Sequence, residues 1–161
     1  MLIFILTLPA KQTIFTIMKL SDVWFTAISE TDDNQMVVIS GRDDINAFVD
    51  SGKFKERVEI YWKYTGGTNG MPADEEARLM EKVQIALKQA MERDKLAILT
   101  GVYTGAGERT WVFYTRNVPA FGEKLNQALA SFDRLPLDIY TEVDPQWEEY
   151  KDMYEMKEAE A

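Results

Sequence analysis

The chain has 161 residues, no cysteine, no histidine and a formal net charge of −9. That length suits one domain with a sizeable core, and the two missing residue types exclude disulfides, thiolate nucleophiles, zinc knuckles, Ser-His-Asp triads and imidazole switches. With 18 basic against 27 acidic side chains, the surface opposes phosphate backbones and anionic lipid heads, so neither nucleic acid nor membrane is an expected partner.

Residues 1–17 stand apart. Met1–Leu8 is apolar except for Thr7, Pro9 interrupts the run, and Ile14–Ile17 resumes it. The stretch lacks a basic leader and a small-residue cleavage site, and it is too short and broken for a membrane helix. Met18-Lys19-Leu20 reads as a natural start. Residues 1–17 are therefore expected to be a misassigned or loosely attached extension, and residues 18–161 a single α+β domain. Without Lys11 the net charge moves from −9 to −10.

Residues 22–30 and 35–41 read as two strands joined by Thr31-Asp32-Asp33-Asn34, an N-terminal hairpin. Asp43–Val49 reads as a short helix stopped by Ser51-Gly52. Phe54–Tyr64 is a long strand. Val58, Ile60, Trp62 and Tyr64 share one face, and Arg57, Glu59, Tyr61 and Lys63 the other. That alternation predicts a sheet fully covered on one side only. Thr65–Met71 is a glycine-rich loop. A helix is expected over 72–93, with Pro72 in its first turn and Asp74, Glu75 and Glu76 behind it.

Strands follow at 95–104 and 108–116, joined by the tight turn Gly105-Ala106-Gly107. Val118–Phe132 reads as an amphipathic helix and Leu135–Val143 as a strand. Asp144 is the expected N-cap of a last helix, with Pro145 in its first position. From Phe54 to Val143 the order is β-α-β-β-α-β, the ferredoxin-like split βαβ sandwich. The N-terminal hairpin and the C-terminal helix are additions to it.

Few strings carry chemistry. The loop Gly66-Gly67-Thr68-Asn69-Gly70 fits neither nucleotide fingerprint, and the acidic residues behind it repel an anion. From Asp32 the sixth and twelfth places of a calcium loop hold Val37 and Asp43, so that pattern fails too. No metal and no cofactor are expected. Arg109, Trp111, Phe113, Tyr114 and Arg116 form an aromatic strand with basic ends. Together with Tyr61 and Tyr140, Trp111 or Tyr114 resembles a base-stacking platform. Glu59, Asp138 and Glu142 share the expected open face and oppose a phosphate backbone there. Trp147, Tyr150 and Tyr154 recur at helical spacing, as a stripe that docks on the sheet.

Three strings also carry a family resemblance. Gly70-Met71-Pro72, Gly107–Tyr114 (GERTWVFY) and Asp144–Tyr150 (DPQWEEY), with Trp24 near the start, resemble the bacterial family called domain of unknown function 695. The resemblance runs from about Leu20 to Tyr154. It implies a ferredoxin-like fold similar to the regulator of ribonuclease activity B, which inhibits its ribonuclease by binding it. It carries no catalytic residues over.

The expectation is a cytoplasmic, non-catalytic domain that binds a protein partner, with aromatic anchors on an acidic surface. The alternative is a small-ligand domain or an enzyme using carboxylates. Its pocket would lie between the final helix and the sheet, lined by Arg109, Trp111, Asp144 and Trp147.

Overall fold

The computed structural model of the protein describes residues 18–65 and 69–160. The extension expected at 1–17 lies outside the described residues, as do 66–68 of the glycine-rich loop.

Six strands form one antiparallel sheet: β1 (Val23–Glu30), β2 (Met36–Asp43), β3 (Glu56–Lys63), β4 (Ala97–Gly105), β5 (Glu108–Thr115) and β6 (Leu137–Val143). Their order across the sheet is β1-β2-β4-β5-β3-β6. Four helices accompany them among the described residues: α1 (Asn46–Asp50), α2 (Asp74–Glu92), α3 (Val118–Ala128) and α4 (Glu148–Glu160). The expected α+β class and element order are therefore present, with an open sheet edged by β1 and β6.

Local chemistry explains the joints. The β4–β5 turn needs two residues in the left-handed region, and Ala106 (φ 54°) and Gly107 (φ 83°) supply them. Gly105 is needed for a different reason: a Cβ there would lie 2.2 Å from the Met36 carbonyl oxygen of β2. Asn117 caps α3 by accepting from the Ala120 amide at 2.8 Å. The short helix α1 starts later than expected, because β2 stays paired through Val23↔Asp43 and Asp44 turns at φ 59°.

The alternation along β3 sorts the sheet into two faces. Val58, Ile60, Trp62 and Tyr64 point to an inner face, where α2 and α3 close a core with Met80, Val83, Leu87, Trp111 and Phe113. Two buried indoles set the position of α2: Trp62 Nε1 donates to Glu76 Oε2 and Trp111 Nε1 to Gln84 Oε1, both at 2.8 Å. At the far end of the helix, Glu92 accepts from buried Arg42 at 2.9 Å and from the Leu99 amide at 2.9 Å. These buried polar groups would be costly if unpaired, so they hold α2 in one register.

The outer face has a second, smaller core. Ala27, Ile39, Ile98, Val112 and Tyr114 from the strands meet Phe48, Phe54, Trp147, Tyr150 and Met153. The Trp147 ring stacks on Tyr114 at 4.1 Å and 14°, and its Nε1 donates to the Phe54 carbonyl at 2.8 Å. The aromatic stripe thus docks on the sheet as its spacing suggests. The helix start differs from expectation. It begins at Glu148, and Trp147 stands before it in the left-handed region (φ 55°). Pro145 lies in a turn closed by the Trp147 amide on the Asp144 carbonyl at 3.1 Å. That turn brings the chain from the sheet edge back over the outer face.

α4 reaches β1 and β4 but leaves β6 bare. From Asp138 to Val143 every residue of β6 is exposed. Trp147 is 1% exposed and Tyr140 41%, which separates their roles. Trp147→Ala should cost about 3–5 kcal/mol of stability in denaturant unfolding, because it removes a packed ring and leaves a cavity. Tyr140→Ala should leave the unfolding midpoint essentially unchanged.

Candidate functional site

The uncovered part of the outer face is built around Arg57. On β3, Arg57, Glu59 and Tyr61 alternate with the core residues, so all three rise on the outer side. Register places Arg57 between Tyr114 of β5 and Glu142 of β6, and Glu59 beside Tyr140. The guanidinium, 12% exposed, donates through Nε to Glu59 Oε2 at 2.6 Å, through Nη1 to Asp144 Oδ2 at 2.8 Å, and through Nη2 to Glu142. Burial works against its charge, but the bonds to Glu59, Asp144 and Glu142 outweigh it and raise the Arg57 pKa. Tyr61 donates its hydroxyl proton to the other Glu59 oxygen.

Asp144 directly follows β6 and is buried. Its Oδ2 accepts from Tyr114 at 2.7 Å and from the Glu149 amide at 3.3 Å, and its Oδ1 from the Glu148 amide at 2.9 Å. The carboxylate therefore caps α4 from four residues upstream while also neutralising Arg57. Burial would raise its pKa, yet the hydrogen bonds from Tyr114, Glu148 and Arg57 leave it lowered.

Glu149 sits behind this group. Its Oε1 accepts from the Tyr103 hydroxyl at 2.9 Å, while Oε2 is shut off from solvent with no partner among the described residues. Burial, reinforced by the charges of Glu59 and Asp144, pushes its pKa up to about 7. Tyr103 also lines a shallow cleft of about 500 Å³ that opens beside Thr110 and Glu108 near the β4–β5 turn.

The structure places Tyr61, Tyr140, Asp144 and Trp147 on this outer face. Tyr61 is half-buried and Tyr140 exposed, whereas Asp144 and Trp147 are buried and serve packing and capping. Arg109 and Trp111 are elsewhere. They share the inner-face parity of β5 with Phe113, and Trp111 is fully buried beneath α2. The pocket expected from Arg109, Trp111, Asp144 and Trp147 does not form, since a sheet separates its two halves. The base-stacking platform loses Trp111 for the same reason, and loses Tyr114 because Trp147 covers it. By sequence, Arg57 and Glu59 belong to the open face of β3, and nothing marks Glu149 or Tyr103 as site residues. The polar alternation of β3 was the available signal. The partners that make it a network come from Glu142 and Asp144, more than eighty residues away.

Among the described residues, no group of three or more Asp or Glu side chains could hold a metal ion, and no helix is long and apolar enough to cross a membrane.

The raised Glu149 pKa predicts a pH response of stability. Its ordinary pKa of 4.5 rises to about 7 on folding, so the folded state holds the proton more tightly. Stability should therefore fall as pH rises from about 4.5 to about 7 and stay lowered above that, by on the order of 1–3 kcal/mol. No histidine or cysteine competes in this window. Glu149→Gln should abolish the fall, so the variant melts higher than wild type at pH 8 and alike at pH 5 in calorimetry.

A family model described as a family of unknown function (DUF695) matches residues 22–154. No curated protein and no solved structure gives a significant match. The matched span includes all six strands, the Asp144 cap and the Arg57 network. The chain belongs to the DUF695 family.

Proposed function

We propose that this is a non-catalytic, cytoplasmic protein-binding domain that uses the uncovered outer face over β3 and β6 to hold a basic partner. One observation carries the reading: α4 closes only half of the outer face, and the bare half presents Tyr140 between two carboxylates, Asp138 and Glu142. An exposed aromatic ring supplies an anchor, and exposed Asp138, together with half-exposed Glu142 whose charge Arg57 partly offsets, favours a Lys- or Arg-rich surface. The net charge of −9 adds long-range attraction for such a partner.

The strand order β4-β5-β3-β6, with α2 and α3 on one face, supports the ferredoxin-like reading of the core unit. A fold like that of the regulator of ribonuclease activity B, which the family resemblance implies, would fit a role exerted by binding. The carboxylate-enzyme alternative draws less support. Glu59, Glu142 and Asp144 are counter-ions of Arg57, which holds them in a salt-bridge network.

The test is affinity capture from cell lysate at low and moderate salt, comparing wild type with Asp138→Lys/Tyr140→Ala/Glu142→Lys. Basic proteins retained by wild type should be lost by the triple variant. They should persist with Ile85→Lys, a control at an exposed position of α2. An unchanged set of captured proteins in the triple variant would refute the assignment of this face.

A further inference from the structure

Three arginine side chains are largely withdrawn from water, and they are not paired alike. Arg42, 1% exposed, meets Glu92 at 2.9 Å and the Leu99 and Ser21 carbonyls. Arg57 meets three carboxylates. Arg109, 14% exposed, has one hydrogen bond, from Nε to Thr104 Oγ1 at 2.9 Å, and a single distant carboxylate, Glu81 at 4.0 Å. The two Nη groups make no hydrogen bond among the described residues. Burial lowers the Arg109 pKa, with only partial relief from Glu81. A largely buried cation without a close counter-ion is costly, and an anion at the solvent-reaching end of the fork offsets part of that cost.

The fork has room for one. Arg109 lines a cleft of about 450 Å³ on the inner face, bounded by Val38 and Ser40 of β2, Val102 and Thr104 of β4, and Glu81 and Gln84 of α2. That volume lies in the usual range for small-molecule sites. Val38, Val102, Met71 and Pro72 give it apolar walls. Polar donors converge with Arg109. Gln84 spends its Oε1 on Trp111, which leaves its NH₂ to donate. Thr104 accepts from Arg109 and keeps its hydroxyl proton, and Ser40 adds a second hydroxyl.

The chain holds this cleft in shape. Gly70 anchors the Met71–Pro72 wall, its carbonyl accepting from the Gly107 amide at 2.9 Å and from the Tyr64 hydroxyl at 2.6 Å. Gly70 stands at φ 77°, where a Cβ would lie 2.9 Å from the Ala106 nitrogen. Two strings singled out in the sequence, Gly70–Pro72 and Gly107–Tyr114, thus meet at one place.

We propose that this cleft is a binding site for a small organic monocarboxylate with an apolar body. The carboxylate pairs with the Arg109 fork and accepts from Gln84, and the body lies against Val38, Val102, Met71 and Pro72. Glu81 limits the charge of the ligand: one negative charge neutralises Arg109, and a second would face Glu81 across a few ångströms. The site is on the opposite face of the sheet from the proposed protein contact and stands independently of it.

The experiment titrates the full chain with acetate, butyrate, hexanoate and phenylacetate, with hexanamide as the neutral control. The Trp111 indole N–H, bonded to Gln84, is the heteronuclear NMR reporter. Saturable shifts should appear and tighten with apolar length, and hexanamide should bind far more weakly. Arg109→Gln and Gln84→Glu should each weaken hexanoate by about tenfold or more, as expected for a charge-assisted contact. Both variants should fold: Gln84→Glu keeps the acceptor for Trp111, and Arg109→Gln removes an under-paired cation. The proposal is overturned if no carboxylate moves the Trp111 signal, if hexanamide matches hexanoate, or if both variants bind hexanoate like wild type.

Discussion

The buried carboxylate of Asp144 joins strand, helix and sheet. It closes β6, caps the first amides of α4, accepts the Tyr114 hydroxyl and neutralises Arg57. The first turn of a helix leaves amides that need partners, and here one side chain serves two of them. Its position decides where the next residues go. The turn through Pro145 sets Trp147 on Tyr114, and Tyr150 and Met153 then follow one and two helical turns along the outer face. The course of α4, and so the boundary between covered and bare sheet, follows from that one carboxylate.

The outcome is a sheet with two unlike faces. The inner face is closed by α2 and α3 around paired indoles, with a cleft left between α2 and strands β2 and β4. The outer face is closed over β1, β2 and β4 and bare over β6. Arginine marks the polar places on both. Arg42 holds α2 to β2, Arg57 gathers the outer carboxylates, and Arg109 stands in the cleft with only the distant Glu81 as a counter-ion among the described residues. With histidine and cysteine missing, proton chemistry near neutrality falls to a carboxyl group lifted by burial, Glu149.

Much of the fold was legible because its signals are local. Alternation along β3 separated Val58, Ile60, Trp62 and Tyr64 from Arg57, Glu59 and Tyr61 without reference to any other strand. Turn chemistry at Thr31–Asn34 and at Ala106-Gly107 marked both hairpins, and the element order followed. Helix ends were less legible. Asp144 does cap α4, but from across a turn rather than from the adjoining position, because Trp147 takes a left-handed backbone that no propensity anticipates.

By itself, then, the sequence determined the element order, the amphipathic faces, the acidic charge and the loss of histidine and cysteine chemistry. Periodicity, turn residues and composition are properties of a single stretch of chain. The tertiary structure decided which side chains share a site. Strand parity puts Arg109 and Trp111 on one side of β5 and Tyr114 on the other, but only the register Ile60↔Trp111 and Arg57↔Tyr114 says which side meets α2 and which meets α4. The same register split the expected Arg109–Trp147 pocket and brought Asp144 to Arg57. Among the described residues, it left Glu149 without a partner for one oxygen and Arg109 without a close counter-ion. Those environments arise between segments far apart in the chain, and no local pattern encodes them.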